Sequence, residues 1–241
     1  MDCLILRLDA PLMSFGGVRV DQHNPTARFP GRSQLTGLLA NALGWSHGDM
    51  DALNHLQSRV AFAARWDVAP KSLRDYQTVD LGQAHLRHPG WTTRGNPEHR
   101  HGGPDAKFGT HQRFRDYWAD GVMTLALTLT ADGKPDLGGL ELALRYPERP
   151  LFIGRKPCLP ASRLLQGRRE AVDLRSALAA EPADPRAGEV PGLLEACWPP
   201  TEEDDLRQRV SRTDDRDWPT QTHVGQRLMV EGLLHEVPPC S

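Results

Sequence analysis

Residues 149–169 read RPLFIGRKPCLPASRLLQGRR, and with Arg145 just upstream they gather seven basic residues. The only acid between Arg145 and Arg169 is Glu148. Prolines and glycines keep the stretch from forming an ordinary helix. Gly154, Arg155 and Lys156 follow a short apolar run, the sequence context of an anion-binding concavity of backbone N–H groups flanked by two cations. The spacing is not GxxxxGK[ST], which argues against a nucleotide-hydrolysing loop, and no GxGxxG supports a dinucleotide site. A polyanionic backbone is the better ligand class, and a solvated basic turn is the alternative.

Rings sit among cations elsewhere too. Phe29 lies between Arg28 and Arg32, Tyr76 near Arg74, Phe114, Tyr117 and Trp118 around Arg115, and Phe152 before Arg155. Single-stranded RNA is bound by this combination, bases stacking on rings while guanidinium groups meet phosphates. Each ring alone suits a core position equally well, because strands alternate inward and outward. Repetition over four segments favours RNA. The histidines of HLRHPGWTTRGNPEHRHGG include H-x-x-H and H-x-H pairs, but with no ordered scaffold or carboxylate partner they are expected in a polar arm rather than a metal site. His23, in the glycine-containing loop, is a candidate general base for metal-independent RNA cleavage, a task that suits histidine as a residue type. No GxSxG and no recognisable Cys–His pairing points to nucleophilic catalysis, and neither cofactor nor metal is expected.

The whole chain bounds these readings. Its 241 residues carry a formal net charge of −2, and a pI near 6.5 argues against a freely diffusing, non-specific nucleic-acid binder. A subunit that meets nucleic acid with one face and protein with another stays open. Charge is uneven: from Glu181 to Asp217 eleven acids face five basic residues. Cys3, Cys158, Cys197 and Cys240 form no CxxC and read as free thiols in a reducing compartment. The apolar run at the start, MDCLILRLDAPL, is short and broken by Arg7 and Asp9, so a signal peptide is not expected there. No apolar run is long enough to span a bilayer, so a cytoplasmic protein is expected.

The elements that must position these residues follow from periodicity. CLILRLDA reads as a first, central strand, followed by a long loop to residue 32. Ser33 is the expected N-cap of a helix over QLTGLLANALG, ended by Gly44, and a second short helix covers DMDALNHLQS. RVAFAARWDV and KSLRDYQTV have strand character, as do QRFRDYW and VMTLALTLT, joined by an Ala-Asp-Gly turn. LGGLELALR is a helix with Asp136 as its cap, and LFI a short strand leading into the basic loop. The resulting β-α-β-β-α-β order is the ferredoxin-like arrangement, an α+β fold with helices on one face of a sheet. LRQRVSR and QRLMVEGLL are expected as strands of a second, smaller sheet, and no internal repeat is evident.

The segments LILRLDAPLMSFG, TARFPGRSQLTGLLANALG, LRDYQTV, FRDYW and LFIGRKPCLP together resemble the Cas-five (CasD) subunits of type I-E CRISPR surveillance complexes, Cascade. The likeness is dense over residues 3–160 and looser beyond, and the acidic segment 181–217 has no clear counterpart. It implies a non-catalytic member of the RAMP superfamily with a ferredoxin-like (RRM-like) core over residues 1–160, a thumb or hairpin insertion at 80–111, and a smaller C-terminal β-rich part over 161–241. Such a subunit binds the five-prime handle of the CRISPR RNA, contacts the backbone subunit and the large PAM-reading subunit, and meets target DNA only through the complex. Carried over, Arg28 and Arg32 contact handle phosphates or bases, and Arg74, Tyr76 and Arg115 lie at the base of the thumb. Phe152 stacks on or packs against a base, and Gly154, Arg155 and Lys156 cradle the backbone. A relative that cleaves repeat RNA makes an endoribonuclease the second reading, and a protein-interaction scaffold whose basic patches face acidic partners, such as its own 181–217 segment, is the third.

Overall fold

The computed structural model describes residues 1–80, 90–91, 97–98, 110–188, 193–202 and 204–235. β1 (Asp2–Asp9), β2 (Leu12–Met13) and β3 (His23–Asn24) precede α1 (Arg32–Ala42) and α2 (Met50–Arg59). Then come β4 (Val60–Val68), β5 (Lys71–Asp80), β6 (Gly90–Trp91), β7 (Pro97–Glu98), β8 (Thr110–Ala119) and β9 (Val122–Leu129). α3 (Leu137–Arg145), β10 (Leu165–Glu170), α4 (Leu174–Ala180) and β11 (Leu193–Trp198) follow. β12 (Arg209–Arg212), β13 (Asp215–Asp217), β14 (Thr222–Val224) and β15 (Arg227–His235) close the chain's described part. The result is a mixed α/β fold, mostly antiparallel, with four α-helices among the described residues.

The main sheet has seven strands in the order β10-β1-β9-β4-β11-β15-β12, and every neighbouring pair is antiparallel. Leu4, Leu6 and Leu8 of β1, with Phe62, Trp66 and Leu125, pack beneath Leu35 and Leu39 of α1 and Leu140 of α3. On the other face Cys3, Ile5, Ala63 and Ala126 meet Leu174 and Leu178 of α4. Both faces of β1 are therefore buried, which explains an unbroken CLIL run where a half-exposed strand would alternate. The wholly buried Arg65 helps pin α4 down: it pairs with Asp67 at 2.8 Å and donates to the Glu181 carbonyl at 3.1 Å. A second sheet runs β2-β8-β3 with β5 also on β8, and only β3 is parallel to its neighbour.

Several expectations need correction. Helices cover both faces of the main sheet, since α4 lies opposite α1 and α3. β12 and β15 extend that sheet and do not build a separate one. LFI is no strand: the Ile153 N–H turns back to the Cys158 carbonyl at 2.7 Å. The neighbouring strand is β10, LQGRRE, whose polar, largely exposed residues hide it from periodicity. Ser33 lies inside α1, whose N-cap is Gly31. The free N–H of Arg32 finds an acceptor in Asp214, at 3.0 Å, and a Cβ on Gly31 would stand 3.1 Å from the Asp214 Cβ. Asp136 does cap α3, accepting from the Gly139 N–H at 2.8 Å. At Asp120–Gly121 the chain crosses from the second sheet to the first and forms no hairpin. Most of the stretch 80–111, expected as a thumb, lies outside the described residues; β5 and β8, which flank it, form a ten-residue antiparallel ladder.

Candidate nucleic-acid interface

In the β5–β8 ladder Arg74 stands opposite Asp116, Tyr76 opposite Phe114, and Ser72 opposite Trp118. Alternate residues of a strand share a face, so Arg74, Tyr76, Phe114, Asp116 and Trp118 line one side of this sheet. β3 brings His23 alongside Phe114. The three rings form a column: His23 on Phe114 at 4.9 Å and 9°, and Tyr76 on Phe114 at 5.1 Å and 28°. Tyr76, 53% exposed, ends the column, where a base can continue the stack. Arg74 forks onto Asp116 at 2.7 and 3.1 Å, yet its side chain stays mostly exposed. That hydrogen bond, with the charges of Arg74, Arg155 and His23, outweighs partial burial and holds the Asp116 carboxyl below its usual range. Arg115 points to the opposite side, across from Asp75, and forms no ion pair among the described residues.

The basic loop is not a single cradle of free cations. Arg155 donates to the carbonyls of Asp116 at 2.9 Å and Asn24 at 2.8 Å, and lies 4.7 Å over the Tyr117 ring. Arg149 reaches the carbonyls of Gly44 and Trp45, past the end of α1, while Arg168 and Arg169 pair with Asp2 and Glu181. Lys156 is exposed and unpaired among the described residues. The N–H groups of Gly154, Arg155 and Lys156 likewise have no partner among these residues, while the Cys158 N–H closes the turn onto the Arg155 carbonyl at 2.9 Å. Gly154 is obligatory here. Its φ is +94°, and a Cβ would lie 1.6 Å from the Ser14 carbonyl oxygen.

Phe152 and Gly154 lie instead beside a groove of about 670 Å³ along α1, walled by Gln34, Gly37 and Asn41, by Trp45, and by Trp218. Arg32 and Arg28 stand apart from it, each paired with an acid from the C-terminal part. Arg32 meets Asp215 at 2.7 Å, and Arg28 donates to Glu195 at 3.2 Å through Nε and again through Nη2. The Arg28 guanidinium also lies 5.0 Å from the ring centres of both Trp66 and Trp118. Arg28, Arg74 and Tyr76 thus share one surface, Phe152 and Gly154 another, and Arg155 ties the loop of the second to the strands of the first.

One placement escaped sequence reasoning. His23 completes the ring column, and only the parallel β3–β8 pairing places it there. In the acidic segment 181–217, which the third sequence reading set against the chain's own basic patches, six acids form ion pairs within the chain: Glu181, Asp184, Glu195, Asp204, Asp214 and Asp215. Among the described residues no cluster of His, Cys, Asp or Glu is arranged to bind a metal, and no helix is long and apolar enough to cross a membrane. Cys3, Cys158 and Cys197 are buried free thiols; burial pushes Cys197 up to about 12.

Comparison with known proteins matches residues 3–230 to the family described as CRISPR-associated protein (Cas_Cas5). The CRISPR system Cascade subunit CasD of Escherichia coli (strain K12) is 34% identical over 183 residues, 73% of this chain and 75% of that one. A chain of a CRISPR RNA-guided surveillance complex superposes with a TM-score of 0.73 at 24% identity, covering 97% of this chain and 90% of that one. A crystal structure of a Cas protein gives 0.64 at 22% identity, covering 99% and 98%. At these identities the two structures speak for the fold.

Proposed function

The chain belongs to the CRISPR-associated protein (Cas_Cas5) family, and from that premise we propose that it is the RNA-binding structural subunit of a type I-E Cascade complex. It binds the five-prime handle of the CRISPR RNA, contacts the backbone subunit and the large PAM-reading subunit, and leaves sequence reading of DNA to the guide. The observation that carries this is the ring column His23–Phe114–Tyr76 beside Arg74, with Phe114, Tyr76 and Arg74 on β5 and β8, the strands that flank residues 81–109. Bases stack on the column, while the unpaired N–H groups of Gly154, Arg155 and Lys156 and the Lys156 ammonium meet phosphates. Arg115 meets the strand where handle becomes guide, Phe152 offers a ring to a base in the groove, and Arg32 and Arg28 reach phosphates near the start of α1. The Arg155 side chain positions the loop, because its guanidinium already serves two carbonyls.

A ferredoxin-like RAMP core is supported by the order β10-β1-β9-β4, with α1 and α2 between the first and second strands in sequence and α3 between the third and fourth. In this reading the unit takes in β10, which ends at Glu170, and the remaining strands widen its sheet. The subunit is non-catalytic in this reading, with His23 serving as a stacking ring. Incubating the full chain with labelled repeat RNA tests it. Retention without cleavage is expected; cleavage would favour the endoribonuclease, and failure to retain RNA the protein-interaction scaffold.

A further inference from the structure

Arg28 is the place where RNA chemistry and the acidic C-terminal part compete for one side chain. Its guanidinium lies over Trp118, on the same side of the second sheet as the ring column, and is held there by Glu195 of β11. Two parallel N–H donors facing two carboxylate oxygens is also the geometry in which a guanidinium takes a phosphate. Glu195 therefore occupies the position that a phosphodiester oxygen pair would need. The pair is partly open to solvent, the Arg28 side chain being 26% exposed and that of Glu195 48%, and solvent screening weakens ion pairs of this kind. Asp214 differs, because both it and its partner Arg227 are largely buried.

We infer that Glu195 is a displaceable gate on a phosphate-binding site made by the Arg28 guanidinium, which the indole of Trp118 orients from beneath. In the free subunit the carboxylate keeps the guanidinium ordered over the indole and closed to stray polyanions. A strand whose bases are already stacked on the neighbouring column presents its phosphate at high local concentration and displaces Glu195. The freed carboxylate then gathers a cation, so part of the counterion release that normally drives RNA binding is cancelled at this site.

This rests on the RNA-binding reading, and the test separates the two. Full-length wild type, Glu195→Gln, Arg28→Gln and the double variant are titrated with handle-bearing repeat RNA over a salt series, each checked by thermal unfolding. Glu195→Gln is expected to bind about three- to fivefold more tightly, as befits removal of a weak competing pair. Its log K against log salt should steepen by up to about 0.7, one phosphate's worth on a single strand. Arg28→Gln should bind less tightly than wild type, and adding Glu195→Gln to it should change nothing. Glu195→Asp keeps the charge but withdraws it from Arg28, and should also tighten binding even if the Gln variant folds poorly. Unchanged or weaker binding by both Glu195 variants, with wild-type RNA retention intact, overturns the gate. Loss of RNA retention by the wild type would instead overturn the functional reading on which the gate depends.

Discussion

Replacing Asp214 with Ala removes one carboxylate that joins the end of the chain to the first helix. Its Oδ2 accepts the Arg32 N–H at 3.0 Å, and both oxygens accept from Arg227, at 2.7 and 2.6 Å. Loss of a helix cap costs about 1 kcal/mol. Leaving a fully buried partner unpaired costs about 3–5 kcal/mol, and because Asp214 and Arg227 keep slight solvent contact about 2–3 kcal/mol is the better figure. The sum is about 3–4 kcal/mol, or roughly 6–16 °C in the melting temperature of a chain this size. Asp214→Asn should cost less, because its amide oxygen still caps α1. Burial alone would raise the Asp214 pKa, but the hydrogen bond and charge of Arg227, with the Arg32 amide, carry it below its usual range. Its stabilisation is therefore fully present above about pH 4 and is lost as the pH falls through the lower folded value. Thermal or urea unfolding of both variants at pH 7 and pH 3 measures this. A loss below about 1 kcal/mol for the Ala variant at pH 7, or a penalty that grows in acid, would refute the reasoning.

Three other variants probe the interface. Gly154→Ala should destabilise the chain by roughly 2–4 kcal/mol in urea unfolding, because both φ and the Ser14 carbonyl oppose a Cβ; a neutral effect would mean the loop is not seated as described. Lys156→Ala should leave stability unchanged and flatten the salt dependence of handle binding by about 0.7, and an unaltered slope would remove Lys156 from the RNA site. His23→Ala should leave repeat-RNA processing unchanged while weakening handle binding, whereas accumulation of uncut precursor with RNA binding intact would restore the endoribonuclease reading.

The central strands were legible because burial on both faces leaves unbroken apolar runs such as CLIL, and Asp136 because a helix cap is a local feature. β10 was not, since its stability comes from pairing with β1 and its side chains are mostly exposed. Ser33 misled for a related reason: the acceptor that completes α1 comes from Asp214, 182 residues away, and no local rule anticipates it. At the interface, alternation in β5 puts Arg74 and Tyr76 on one side, but the β5–β8 register that brings Phe114 beside them was not legible, since a one-residue slip would have turned it away. Sequence could not tell a free guanidinium from an engaged one. Arg155, Arg28 and Arg32 look alike as basic residues beside rings, and only their carbonyl and carboxylate partners separate them.

The central claim is that handle RNA lies on the β5–β8 face, and photo-crosslinking tests it directly. Full-length chain bound to labelled repeat RNA is irradiated, digested, and the adducted peptides identified by mass spectrometry, for wild type and for Tyr76→Ala. Adducts at Tyr76 and Phe114, with an affinity loss of roughly 1–3 kcal/mol and an unchanged salt slope in Tyr76→Ala, are predicted. RNA retained with adducts confined to other surfaces, and a Tyr76→Ala variant that binds like wild type, would contradict the account.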